Sequence, residues 1–246
     1  MNWFNQPVSE TQIKRKQRLW LYVFAILVMC FLVIPTIIVV PMSFSASQYL
    51  EFPPREWSLR WYEFYFHSES WMAATRTSLL VGFLTMLVTT PIGVAAAYGL
   101  SVSKHRASQL FFILLISPMM MPIILIAIGI FYVYVKIHMV NTIAGLVLAH
   151  TVLALPLIVI IVSSAFKSFD ISLEMVARNL GASRFIAFMT ITLPQIKFVV
   201  VTAAILAFLA SFDEVIIAMF VSGAENSTLT RNMFNALRDQ IDPTIA

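Results

Sequence analysis

Charge is scarce in this chain. Of its 246 residues only 11% are Asp, Glu, Lys or Arg, while 60% are hydrophobic, and the mean hydropathy is +0.87. A soluble domain carries about 25% charged residues, so there is too little charge here to cover an aqueous surface. Lipid must be the solvent for most of the chain. Cysteine is nearly absent. Cys30 is the only one, and it lies in an apolar run, which excludes a disulfide framework and a cysteine metal site. The seven glycines include no G-x4-G-K-[ST] spacing, so the chain has no phosphate-binding loop for ATP hydrolysis. Histidine is also rare: His67, His105 and His138 are scattered in loops without ligand spacing, and no Ser/His/Asp or Cys/His arrangement suggests catalysis. A net charge of +4 is small and speaks to topology, not to nucleic acid. The first apolar run is too long for a signal peptide and has no small-residue cleavage site at its end.

Long apolar runs are abundant. A membrane span needs about 20 mostly apolar residues. Five runs qualify: 19–44, 76–102, 110–135, 142–166 and 198–221. The expected fold is therefore all-α, a polytopic transmembrane helical bundle. Residues 1–18 form an N-terminal tail and 19–246 the membrane domain. Arg76 stands at a span edge, where it can snorkel. With the N-terminus in the cytoplasm, Lys14, Arg15, Lys16, Arg18, Lys104, Arg106, Lys167, Arg178, Arg184 and Lys197 all fall on the cytoplasmic side, ten of the 16 basic residues. The first external segment, 45–75, is rich in Trp and Tyr and suits a short amphipathic helix at the interface. At the C-terminal end, Asp242 and Pro243 read as the start of a further helix, so a sixth span is expected beyond Ala246. Prolines at Pro35, Pro41, Pro91, Pro118, Pro122, Pro156 and Pro194 predict kinked spans.

Between the fourth and fifth runs lies a polar insert, 167–194. Asp170 can cap a helix over about 171–180, and Gly181 can end it in a left-handed conformation. Leu173, Val176, Ala177 and Leu180 share one helical face, with Glu174, Arg178 and Asn179 away from it. Ser183 can cap a second helix leading to Leu193-Pro194. Two short helices at a glycine corner make a knob, suited to a partner's groove or to lipid head groups.

The same insert resembles the coupling loop of ABC-importer permeases, written E-A-A-x3-G-x9-I-x-L-P. Gly181, nine residues, Ile191, one residue, Leu193 and Pro194 fit that spacing, and Ala177 occupies the second alanine position. Met175 stands where the family glutamate belongs, Val176 where the first alanine belongs, and Glu174 is one residue early. The Ser117-Pro118 turn and the run from Ser211 to Phe220 resemble the second permease subunit of spermidine/putrescine-type importers. The resemblance implies a MetI-type fold in the bacterial inner membrane and a translocation subunit that is not itself an enzyme. It also implies a homologous permease partner, an ATPase dimer that binds ATP and Mg, and a periplasmic or extracellular solute-binding protein. Leu173, Glu174, Met175, Ala177, Leu180, Gly181, Ile191, Leu193 and Pro194 would belong to the ATPase-coupling loop.

Asp213 and Glu214 fall in the middle of the fifth run. A charge at mid-bilayer costs roughly 2.5–3.5 kcal/mol, so such groups face protein or a watery cavity. They read as a counter-charge for a cationic substrate, or as a structural pair bonded to the partner permease. Adjacent helical residues point about 100° apart, so only one would face a pathway. His150, in the fourth run, reads as a helix–helix hydrogen bond, with a proton relay through Asp213 and Glu214 as the rival. Tyr132 and Tyr134 could stack on an amine or belong to an aromatic belt. The expected function is ATP-driven import of polyamines or related amino compounds by alternating access. Its alternatives are a proton-coupled secondary transporter, an importer permease for a non-cationic solute, and a non-transporting scaffold.

Overall fold

The computed structural model describes residues 19–103, 105–168, 170–239 and 243–245. The basic tail Lys14–Arg18 and the Asp242 cap lie outside them. Two compact units form, one of 1–67 with 236–246 and one of 68–235.

In the first unit, helix α1 spans Leu19–Met42 and buries none of its residues. Its side chains are apolar on every side, as a lipid-facing helix requires. An isolated bridge pairs Ser45 with Trp57. The expected amphipathic helix is α2, Arg60–His67, which buries Trp61. The Trp61 indole N–H donates to the Ser47 carbonyl at 3.0 Å, and the Tyr62 and Ser43 hydroxyls bond at 2.8 Å. Trp61 thus buries its apolar body and finds a partner for its polar tip, while the ring of the exposed Tyr62 is tied down only through its hydroxyl.

The second unit is built on α3 (Glu69–Val102), α6 (Ile143–Ser168) and α9 (Leu193–Phe212), which pack on one another. Small residues let their backbones approach, with Ala74, Ala97, Ala149, Ala154, Ala203 and Ala207 all buried. Gly93 is one point of close approach: an added Cβ would lie 2.5 Å from Ile158 Cγ2. Two apolar clusters result. One gathers Val81, Leu146, Val147 and Ile217, and the other Val94, Ile158, Val162, Ile196 and Ala203. Between them in sequence lie two hydrogen-bonded polar groups, Thr89 with Thr151 and Ser211 with His150 and Thr85.

Among the described residues, four helices are long and apolar enough to cross a membrane, and five if one bent pair counts as a single span. Three expected boundaries change. First, α3 begins at Glu69, earlier than the apolar run that starts at Arg76. Second, the run at 110–135 is not one rod. Helix α4 (Ala107–Ile116) and the 3₁₀ turn Ser117–Met120 meet α5 (Ile123–Lys136) at a bend of 102°. The cause is Pro122. Its ring disfavours helical geometry at the residue before it, and Met121 is extended at φ −98°, ψ 143°. Third, the last long helix runs from Arg184 to Phe212, not across 198–221. It stops at Asp213, and a separate short helix α10 covers Ile216–Val221. A further helix, α11, spans Leu229–Asp239.

Candidate functional site: the polar knob and the break after the last long helix

The insert folds as two helices at a corner. Helix α7 spans Ser172–Asn179. The Asp170 carboxylate accepts the Ser172 N–H at 2.9 Å. Hydrogen bonding from the Ser172 side chain first, and from this N–H second, favours the charged form and holds the Asp170 pKa below its ordinary 3.8. The far end closes as a Schellman motif. The Ala182 N–H donates to the Ala177 carbonyl at 3.1 Å and the Gly181 N–H to the Arg178 carbonyl at 3.0 Å. Gly181 holds φ +99° there, a region that L side chains rarely adopt. Ser183 then caps α8 (Arg184–Ala187), its hydroxyl accepting the Ile186 N–H at 3.3 Å.

Past α8 the helix does not stop. It widens into a π turn at Phe188–Thr192 and continues as α9. Pro194 lacks the N–H that would bond back to Thr190, and the π turn takes up the mismatch just before it.

The two faces of α7 differ from the expected arrangement. Leu173, Met175, Val176 and Leu180 are exposed, and Leu180 keeps 84% of its surface. Helical spacing sets Glu174 away from the packed face, yet it is the one buried residue of α7, only 2% exposed. Its carboxylate takes two hydroxyl donors. Tyr98 Oη donates to Oε1 at 2.5 Å and Thr192 Oγ1 to Oε2 at 2.8 Å. A buried carboxylate without such donors would be strongly destabilising. The Tyr98 ring packs on Phe166 and Phe188, with the Arg184 guanidinium 5.9 Å from its centroid. Tyr98 and Thr192 do not stand out in the sequence. Their partner is 76 residues from one and 18 from the other.

The second group of candidates lies at the break after α9. Asp213 is the C-terminal cap residue of α9, and its side chain is exposed with no hydrogen bond or ion pair among the described residues. Glu214 is half-buried, and its Oε1 accepts the Ile217 N–H at 2.9 Å, capping α10. The two acids are therefore not neighbours within one helix. Two polar residues before an apolar run are a helix-start signal, which is the cue that hydrophobicity alone misses. Tyr132 is 68% exposed and Tyr134 only 8%, the latter within an apolar cluster, so the two do not form one stacking surface. His150 is buried, and its Nδ1 lies 2.7 Å from Ser211 Oγ. Its Nε2 has no partner, and no hydrogen bond links it to Asp213 or Glu214 among the described residues. No cluster of three metal-ligating side chains occurs among the described residues.

Long apolar helices together with a polar, two-helix knob define a polytopic helical membrane protein. The profile of the family described as "Binding-protein-dependent transport system inner membrane component" matches residues 89–245, and the chain belongs to that family, the MetI-type permeases. It is 30% identical over 233 residues to the putrescine transport system permease protein PotI of Escherichia coli K12, covering 92% of this chain and 83% of that protein. It is 28% identical over 223 residues to the spermidine/putrescine transport system permease protein PotC of Haemophilus influenzae, covering 90% of this chain and 86% of that one. A shorter likeness, 30% over 142 residues, covers 58% of this chain and 50% of the sulfoquinovosyl glycerol transport system permease protein SmoH of Agrobacterium fabrum. Among solved structures, one chain of a bacterial ABC transporter involved in the import of the acidic polysaccharide alginate superposes with a TM-score of 0.71 at 17% identity. The match covers 95% of this chain and 91% of that one, and it shows the fold.

Proposed function

We propose that this chain is one permease half of an ATP-driven importer for polyamines or closely related small amino compounds. It works with a homologous permease, a pair of ATPase subunits that hold ATP and Mg, and a solute-binding protein on the far side of the membrane. The observation that carries this reading is the likeness to polyamine permeases over about nine-tenths of the chain. The knob supports the ATPase contact: an exposed apolar face of Leu173, Met175, Val176 and Leu180 on a short helix is the form a partner's groove accepts. The unpaired Asp213 carboxylate supports a cationic solute, because a charge left open at a helix break can exchange its water for an ammonium group.

In this reading the N-terminus and the knob are cytoplasmic, and the bilayer is the bacterial inner membrane. Closure of the ATPases displaces α7, and the bent and proline-containing helices rearrange between outward- and inward-facing states. The chain itself performs no chemistry. Glu214 holds α10, and Asp213 faces the solute. The proton-relay alternative is the weaker one, because the imidazole of His150 meets Ser211 and not a carboxylate.

A second reading rests on the likeness to the sulfoquinovosyl glycerol permease: the same machine for a solute that is not cationic, with Asp213 bonded to the partner permease. ATP-dependent uptake of labelled putrescine and spermidine into vesicles carrying the whole transporter separates the two. Uptake competed by polyamines alone supports the first reading. ATP-driven uptake of a neutral or anionic solute, with polyamines ignored, overturns it in favour of the second. Uptake that ignores ATP and collapses with an uncoupler refutes both.

A further inference from the structure

We propose that Glu174 is a positioning residue, a carboxylate joint through which movement of α7 reaches α3 as well as α9. This rests on the permease reading above. Helix α7 inserts a single residue into the protein interior, and that residue is Glu174. The rest of the helix is exposed or partly so, and its apolar residues point outward. Its attachment is therefore not a hydrophobic seam of the kind that normally fixes an amphipathic helix. It is a two-pronged polar contact, with one oxygen held by Tyr98 near the end of α3 and the other by Thr192 in the π turn that leads into α9.

Three features make this a joint and not ordinary packing. First, the contact is specific in distance and direction, because a hydroxyl–carboxylate bond weakens steeply once misaligned. Second, a π turn occupies the point of attachment on the α9 side, and such turns concentrate at functional sites. Third, the joint borders open space. A crevice of about 620 Å³ runs beside it, lined by Val94, Tyr98, Arg184, Phe188, Leu193 and Val200. Close packing resists displacement, so room next to Tyr98 and Phe188 lets the α7–α8 corner shift while the carboxylate keeps both donors. Along the chain α7 joins α6 on one side and, through α8 and the π turn, α9 on the other, but not α3. The Tyr98 bond adds α3, the longest helix described, and α3 packs along both α6 and α9. A push on the knob would then move the core helices together.

The test uses the complete transporter in proteoliposomes, with this chain unsubstituted or carrying Tyr98→Phe, Thr192→Val, Glu174→Gln, or the first two together. The two single-donor changes are close in volume and leave the apolar surroundings intact. Two quantities are read: hydrogen exchange of the α7 amides, and ATP hydrolysed per solute imported. The expected result is that each donor loss speeds α7 exchange by roughly tenfold, the scale of one charge-assisted hydrogen bond. The ATP-to-solute ratio rises in parallel. Glu174→Gln keeps one carbonyl acceptor and falls between the single and double variants. The double variant departs from the sum of the singles, because both donors serve one carboxylate. Faster exchange with an unchanged ratio would mean that Glu174 only holds α7 down, and it would overturn the proposal. Unchanged exchange would overturn it as well. ATP-independent uptake by the unsubstituted chain would instead remove the permease reading on which the joint depends, and it is recognised without any variant.

Discussion

Replacing Gly181 by alanine isolates one physical term. At φ +99°, Gly181 is well outside the backbone regions open to L residues, yet a Cβ placed there meets nothing within 4 Å. The cost is therefore conformational and not steric crowding by neighbours. Forcing a non-glycine residue into such a region costs about 1–3 kcal/mol. The strain acts on the corner whose amides at Gly181 and Ala182 bond to the Arg178 and Ala177 carbonyls. At about 1–2 kcal/mol, the population with an opened corner rises roughly 5- to 30-fold. Gly99 is the control. It too has open space where a Cβ would stand, but it lies within α3. Alanine there gains about 0.5–1 kcal/mol of helix preference. Hydrogen exchange on the purified protein in detergent should thus show the Ala182 amide exchanging several-fold faster in Gly181→Ala and unchanged in Gly99→Ala. ATP-driven uptake by the assembled transporter should fall with the first and not with the second. Unaltered protection at Ala182 in Gly181→Ala would refute the claim that the left-handed glycine shapes the knob. Gly181→Val, β-branched, should be worse than alanine.

The acids at the α9 break should separate by role: Asp213→Asn should weaken polyamine uptake mainly through a raised KM, while Glu214→Gln, which keeps an acceptor for the Ile217 N–H, should leave uptake near normal. Glu214→Ala should lower stability by about 1 kcal/mol through loss of a helix cap, read as a shift in denaturation midpoint. At Gly145 an added Cβ would collide with the Met139 carbonyl oxygen, so Gly145→Ala should cost about 1–3 kcal/mol, measured by thermal unfolding in detergent. Ser211→Ala strips His150 of its partner and should cost about 0.6–1.7 kcal/mol, the range for hydrogen bonds between membrane helices. The Asp170 cap has a depressed pKa, so its contribution is complete above pH 3.8 and is lost as pH falls further. Protection of the Ser172 amide should follow that course in the native chain and show no such step in Asp170→Asn.

Much of this protein is legible in one dimension, because the bilayer imposes local rules. Span existence follows from apolar run length, and the knob follows from caps and a stop: Asp170, Gly181 and Ser183 act on their own close neighbours in the chain. The family likeness rests on the same local spacing. Two of the misread boundaries share a cause, since hydropathy averages over a window and cannot see a backbone interruption inside an apolar stretch. Pro122 bends the third run through Met121, and the Asp213–Glu214 pair ends one helix and caps the next, although both segments remain apolar on either side. What only the tertiary structure decided is the environment of each polar group. Helical spacing puts Glu174 on the outside of α7, but burial depends on which donors other elements bring to it. Tyr98 and Thr192 arrive from distant turns of the chain. The same holds for His150, whose partner Ser211 sits 61 residues away, and for Tyr132 and Tyr134, near neighbours in the chain and opposite in exposure. Apolar periodicity acts along the chain, whereas a buried carboxylate or imidazole is stable only where the packed helices place a partner within hydrogen-bond reach.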